Sequence, residues 1–352
     1  MKYKKNISLL IIIIILLIIL NFQYDSKINN NFESNINDSN NINNINNEIL
    51  QEIKTTKDGT KYLIHPDRII SGGVPKGGIG IDIGIPALDK KNIKFTTVEN
   101  ANNWIQDDEL ILLINYQGIK KAYPLQILVW HEIANDEINN TPIIITYCPL
   151  CGSGIAYKRT IQLNNKTITT KFGTSGKLYN SNLIMYDTQT NTYWQQIGGQ
   201  AIIGELTGQK LIPLDIDTIT WKELKTFHPE TLILDKDTNF NRNYGNDPYG
   251  SYYESDFLYF DVENQQENQR IHPKTLVYGI ELNNTFKAYK KSDLENITTI
   301  IDKINHTKIQ ITKTENQIIT FKNLETNETI IKELNMFFAW YAFHPKTLIW
   351  NN

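Results

Sequence analysis

Cysteine is all but missing from this chain. It holds two in 352 residues, Cys148 and Cys151, both inside "TYCPLCGSG". Two cysteines are too few for a disulfide scaffold, and without a second CxxC a four-cysteine zinc site within one chain is excluded. Excess charge is missing too. The formal net charge is −3 and no basic stripe stands out beyond the first five residues, so the chain lacks the electrostatic footprint of a nucleic-acid binder. Acidic residues are spread out and form no acidic tail. Hydrolase signatures are lacking as well. There is no GxSxG elbow, and "HEIAN" ends in Asn135 where HExxH needs a second histidine. Ser175 has neither a histidine nor an acid nearby in sequence.

Long apolar runs are confined to one place. Lys2, Lys4 and Lys5 precede "ISLLIIIIILLIILNF", which ends at Phe22. That length suits a short membrane span or a long signal segment. Neither a small-residue cleavage site nor a lipid-accepting cysteine follows, so an uncleaved anchor over residues 1–22 is expected. The lysines would stay inside and the rest would be extracytoplasmic. Residues 23–52 are Asn-rich and of low complexity. They cannot bury enough apolar surface to fold and read as a disordered tether. The expected partner is therefore the membrane, with no nucleic acid and with any small-molecule or protein ligand unidentified.

An internal repeat organises the remainder. Lys121-Ala122-Tyr123 recurs as Lys287-Ala288-Tyr289, 166 positions later. At the same offset Asp136, Ile138, Asn139, Thr141, Ile143, Ile145 and Thr146 recur without a gap. The alternation is what the inward face of a strand requires. "FHPETL" at His228 recurs as "FHPKTL" at His344, but 116 positions later, so the first copy carries about 50 extra residues. The expected fold is α+β and β-rich, in two related units. Unit one, 53–235, carries an inserted β-hairpin region, and a degenerate unit two spans 236–352. Unit two keeps the scaffold positions and replaces the special ones: Thr314 stands for Cys148, Gln317 for Cys151, Ile297 for His131 and Ile318 for Gly152. Any active centre is expected in unit one.

"YPLQILVWHEIAND" predicts a helix with Pro124 in its first turn. A turn at Asn139-Asn140 follows, and "PIIITY" is a buried strand leading to Cys148. After Cys151 come two glycines and strand-like residues. A thioredoxin-type CxxC opens a helix instead. The strand–turn–strand context points to a knuckle that wraps two thiolates around a zinc, copper or iron ion, which needs further ligands. His131 is the expected third ligand or catalytic partner; the plainer reading is a histidine packed on Trp130. A Cys–His nucleophile pair is also conceivable. His65, His228, His272 and His344 sit in His-Pro corners and read as scaffold, and Met185 reads as core. In the insertion, Gly173, Ser175 and Lys177 belong to a glycine-bounded loop, either an anion site or a plain turn. "NLIMYD" and "NTYWQQI" flank "TQTN" as a hairpin. Tyr179, Asn182, Tyr186 and Trp194 join the loop residues as a candidate pocket wall.

The stretches "SGGVPKGGIGIDIGIPALD", "AYPLQILVWHEIAND", "TYCPLCGSGIAY", "FGTSGKLYNSNLIMYD" and "FFAWYAFHP" resemble the domain of unknown function 3179 family of prokaryotic, mostly exported or membrane-anchored proteins. They span Ser71 to Pro345. The family pattern is shorter between the glycines and "IPALD", which affects a loop and leaves the cysteine region untouched. The resemblance implies an exported β-rich domain with a CPxC centre and assigns no catalytic residue. Three readings stay open: a thiolate metal or redox centre at Cys148 and Cys151, a Cys148–Cys151 disulfide serving as a switch or staple, and a non-enzymatic binding module with an aromatic groove.

Overall fold

The computed structural model describes residues 53–78, 84–263 and 270–351. The anchor expected over 1–22 and the tether over 23–52 lie outside them. Among the described residues no helix is long and apolar enough to cross a membrane.

Strands β1 (Leu110–Tyr116) and β2 (Ile119–Pro124) form a hairpin over Gln117-Gly118, both at positive φ. That is the turn whose twist matches paired strands. Helix α1 (Leu125–His131) follows and is shorter than the sequence predicts. Glu132 ends it at φ 56°, and Ile133 and Ala134, read from the sequence as part of the helix's apolar face, instead open β3 (Ile133–Ile138). Pairing wins over helical periodicity there: Ile133 stands opposite Thr146 of β4 (Thr141–Cys148). The β3–β4 turn is Asn139-Asn140, both left-handed, as expected. A single 3-10 turn, Pro149–Cys151, reverses the chain into β5 (Ser153–Lys158).

The insertion is strand-rich. Strand β6 (Phe172–Tyr179) turns at Asn180-Ser181 into β7 (Asn182–Asp187), and β7 pairs with β8 (Tyr193–Gln195), which pairs with β9 (Ala201–Ile203). The β7–β8 hairpin matches expectation. The glycine-bounded loop does not: residues 173–177 lie within β6, where a bulge between Thr174 and Lys177 takes up the extra residues. Gly176 sits at φ 71° with its Cα so near Val74 that a Cβ would stand 2.0 Å from the Val74 carbonyl oxygen. Its glycine therefore serves a close backbone approach.

Beyond the insertion, β10 (Asp217–Thr220) leads into α2 (Trp221–Phe227), whose C-cap is His228, and then β11 (Leu232–Leu234). A second series follows: β12 (Leu276–Leu282), β13 (Thr285–Lys290), β14 (Thr299–Ile304), β15 (Thr307–Lys313), β16 (Ile319–Asn323), β17 (Lys332–Met336), α3 (Phe337–Phe343) with C-cap His344, and β18 (Leu348–Ile349). The order β10–β1–β2–β11 in one sheet has its counterpart in β17–β12–β13–β18 in another. In both, the last strand runs parallel to its neighbour. The second sheet continues through β17 into β5, β4 and β3, so one sheet joins strands from both halves of the chain. Strand outweighs helix, 42% to 15%, so the fold is the β-rich α+β type expected.

Buried polar contacts pin these sheets. Lys121 pairs with Asp136 at 2.7 Å and the Tyr123 hydroxyl donates to the same carboxylate at 2.6 Å. Lys287 pairs with Asp302 at 2.6 Å, and Tyr289 donates to it at 2.6 Å. Lys332 on β17 reaches Asp215 and Asp217 at 2.8 and 2.9 Å, tying the late strand to the earlier one. A buried charge is tolerated only with partners of this kind.

Candidate functional site

The Cys148–Cys151 turn is built at a crossing of two hairpins. Strand β4 delivers Cys148, the 3-10 turn places Cys151, and Gly152 at φ 57° lets the chain return. Opposite, the Asn180-Ser181 turn, with both residues at positive φ, points the Ser181 carbonyl at both sulfurs. It stands 3.4 Å from Cys151 Sγ and 3.9 Å from Cys148 Sγ. The two cysteines are 3.4 Å apart with no disulfide between them, and both are buried.

A polar network backs the pair. Asn182 Nδ2 donates to Cys151 Sγ at 3.5 Å and to Gln196 Oε1 at 2.7 Å. Ser153 Oγ donates to the same Gln196 oxygen, while Gln196 Nε2 donates to Thr146 Oγ1 and the Ser153 carbonyl, each at 3.0 Å. The Ile197 N–H closes the set on Asn182 Oδ1. Buried networks satisfied in this way hold one geometry firmly.

The two thiols differ in acidity. Burial pushes Cys148 up, but the Cys151 S–H and the backbone N–H groups of Leu183, Cys151 and Leu150 outweigh it, and the thiol falls below its ordinary value. Burial pushes Cys151 well up, and Cys148 beside it adds to the rise. The first cysteine is therefore the more acidic of the pair and the second the less acidic. Glu132 sits at the α1–β3 junction, its carbonyl accepting from the Tyr147 N–H at 2.8 Å. Burial raises its carboxyl well above the usual range, and the charge of Cys148 adds to this. A charged-type residue, buried and at positive φ, next to a dithiol is a strained position of the sort that clusters at working sites.

A tyrosine-rich segment covers the turn. The Tyr252 hydroxyl donates to the Leu150 carbonyl at 2.9 Å. Tyr252 stacks on Tyr259 at 5.0 Å between centroids, and Lys274 Nζ lies 3.5 Å from its ring centroid. Cys148 is 2% exposed.

The sequence-predicted residues fall in several places. His131 is buried on α1, with Nδ1 2.7 Å from the Pro86 carbonyl oxygen and Nε2 hydrogen-bonded to the Tyr244 hydroxyl. Its ring packs on Phe240, not on Trp130 as the plainer reading had it. Burial lowers its pKa to about 4. Both ring nitrogens are occupied. Among the described residues no three His, Cys, Asp or Glu side chains gather into a metal-holding group, so His131 is not brought into one with Cys148 and Cys151. Of the candidate pocket wall, Asn182 touches the cysteine pair. Trp194 is fully buried and donates to Asp187 at 3.1 Å. Gly173 leaves room for the Tyr186 ring, which Lys76 covers at 4.1 Å. Ser175 Oγ donates to the Ile184 carbonyl and accepts from the Lys177 N–H, and Tyr179 accepts from Arg68. Met185 is core, as expected. Sequence reasoning missed Glu132, Ser181, Gln196 and Tyr252. The tyrosines of "YGSYYESDFLYF" were the available signal for the cover; no local pattern marks a buried glutamate or glutamine.

The profile of a family described as "Protein of unknown function (DUF3179)" matches residues 82–332, which include both cysteines and every network residue above. The chain belongs to that family. No curated protein and no solved structure matches the chain. Family membership agrees with the resemblance read from the motifs and assigns no role to any residue.

Proposed function

We propose that Cys148 and Cys151 form a reversible dithiol–disulfide centre in a domain held outside the cytoplasm by the N-terminal apolar segment. The observation that carries this reading is the pair itself. Two free thiols stand 3.4 Å apart, and hydrogen bonds favour ionisation of the first. A disulfide bond is about 2.05 Å long, so closure needs only a small approach of the sulfurs. A metal ion would find two protein donors here and need others from a ligand or partner; the redox reading needs none.

The exchange balances as follows. The Cys148 thiolate attacks a disulfide of an acceptor, whether a small molecule or a protein, and forms a mixed disulfide while one acceptor thiolate leaves. Cys151 loses its proton and attacks Cys148 sulfur, which forms the internal disulfide and expels the second acceptor thiolate. Two electrons pass to the acceptor, which leaves as two thiolates, and the single proton released by Cys151 is taken up by one of them. The Tyr249–Tyr259 cover must lift for the acceptor to reach Cys148. The recurrence of the Lys–Tyr–Asp cluster and of the four-strand order supports a further proposal: the two halves are copies of one unit, and the centre was added to the first.

The test is a titration of the purified protein across glutathione or dithiothreitol redox buffers, with alkylation and intact mass as readout. The expected result is a two-electron transition between two adducts and none, with a single midpoint. Cysteines that stay reduced in the folded protein across the whole range, or a stoichiometric metal bound to both, would overturn the reading.

A further inference from the structure

A second site lies away from the cysteines. Between β12, β13, β17 and α3 there is a cavity of about 420 Å³. One wall is aromatic: the Phe286 and His344 rings stack at 3.8 Å, and Trp340 adjoins both. Gly279 makes the wall possible, because a Cβ there would lie 2.3 Å from the Trp340 ring. The other wall is acidic. Glu333 faces the cavity, and Glu281 and Glu328 line it from exposed positions. Among the described residues no lysine or arginine lines it.

One polar atom here lacks a partner. Among the described residues Glu333 Oε2 is buried with no hydrogen-bond partner. Two residues on, and so on the same face of β17, Asn335 is fully buried and its amide lies beside the Glu333 carboxyl. A buried carboxylate oxygen left unmet calls for something to meet it. Burial holds the Glu333 carboxyl up at about 7, with Asn335 and the Gly198 backbone pulling the other way. A positive charge arriving beside it would draw it into the ionised form. His344 is held neutral by burial, with the nearby charge of Lys210 adding to the effect, so its ring offers a flat face without charge.

We propose that this cavity binds a small organic cation, a primary amine or guanidinium carrying a flat or apolar group. The cation pairs with Glu333, and the flat group lies against Phe286, Trp340 and His344. The carboxylates at the rim raise the local concentration of cations. The site shares one loop with the cysteine centre: Gly198 lines the cavity, while Gln196 two residues earlier hydrogen-bonds to Asn182 at Cys151. The proposal does not depend on the redox reading.

Calorimetric titration of the purified full-length protein with 2-phenylethylammonium, its neutral isostere 2-phenylethanol and the anion phenylacetate tests it. The ammonium should bind at least about tenfold more tightly than the alcohol, equivalent to about 1.4 kcal/mol, and the anion should not bind. Glu333→Gln should erase the preference for the cation while leaving the weak binding of the alcohol. Equal affinity for all three probes, no saturable binding of the ammonium, or a cation preference that survives in Glu333→Gln would overturn the proposal.

Discussion

Asn182 stands between Cys151 and Gln196, giving one N–H to the sulfur at 3.5 Å and another to the Gln196 oxygen at 2.7 Å. One amide thus joins the thiol pair to the network that fixes β4, β5 and β7. Asn182→Ala should leave the Gln196 oxygen one donor short and the Ile197 N–H unmet, at a cost of about 1–3 kcal/mol. It should also make Cys151 still less acidic, since this amide opposes the rise. Urea unfolding with both cysteines reduced checks the first effect and alkylation rate against pH checks the second. An unchanged midpoint and an unchanged rate profile together would show that the network does not govern the pair.

Glu132 gives a pH prediction whose sign is fixed by the direction of its shift. Its carboxyl is raised in the folded state, chiefly by burial and next by Cys148. The folded protein therefore holds a proton that the unfolded chain releases above its ordinary value. This contribution to stability is present below the unfolded pKa and is lost as pH rises through the folded one. Glu132→Gln keeps the shape and removes the titration. It should match the wild type at acidic pH and exceed it in stability as pH rises past neutrality. Melting the two proteins side by side at pH 5 and pH 8 decides it, and an equal difference at both values would place the Glu132 shift elsewhere than in folding.

How far the sequence reached is clearest at these same residues. "PIIITYCPLCGSGIAY" could be read as strand, turn and strand because alternating β-branched residues and two glycines are local signals, and β4 and β5 meet there as expected. The hairpin around "TQTN" was legible for the same reason. Helix α1 was read too long because Ile133 and Ala134 continue a helical apolar face. Only the pairing of Ile133 with Thr146, together with Leu88 hydrogen-bonded to β3, makes them strand. The placement of His131 was not legible. Its partners Pro86 and Tyr244 lie 45 residues before it and 113 after it, and nothing local announces contacts at that distance. Ser181 escaped notice because its role is played by its backbone carbonyl, which every residue possesses.

The asymmetry of the thiols predicts which cysteine reacts first. Cys148 is the more acidic, so it should attack an external disulfide and Cys151 should resolve the product. Cys151→Ser should then accumulate a mixed disulfide with glutathione on incubation with oxidised glutathione, and Cys148→Ser should not. Access is limited by the Tyr252 cover. Tyr252→Phe removes its bond to the Leu150 carbonyl, worth about 1 kcal/mol, and should speed trapping roughly fivefold if lifting the cover limits the rate. Intact mass over time reads both effects. Faster trapping in Cys148→Ser than in Cys151→Ser would reverse the assignment.

The paired clusters at β2–β3 and β13–β14 allow the proposed duplication to be tested through energetics. Asp136 accepts from Lys121 and Tyr123, and Asp302 accepts from Lys287 and Tyr289, at near-identical distances and with little exposure. Removing one partner of a mostly buried ion pair leaves the other uncompensated, which costs about 3–5 kcal/mol when the pair is fully buried and somewhat less at this exposure. Asp136→Asn and Asp302→Asn should each destabilise the protein, and by similar amounts, because each strands a lysine in the same surroundings. Tyr123→Phe and Tyr289→Phe should each cost about 1 kcal/mol, the value of a single hydrogen bond. If the first cluster proves costly and the second costs nothing, the two share a sequence pattern without sharing a structural role. Similar losses at both would mean that the second half retains the frame of the first even though Thr314 and Gln317 stand at the positions that correspond to its cysteines.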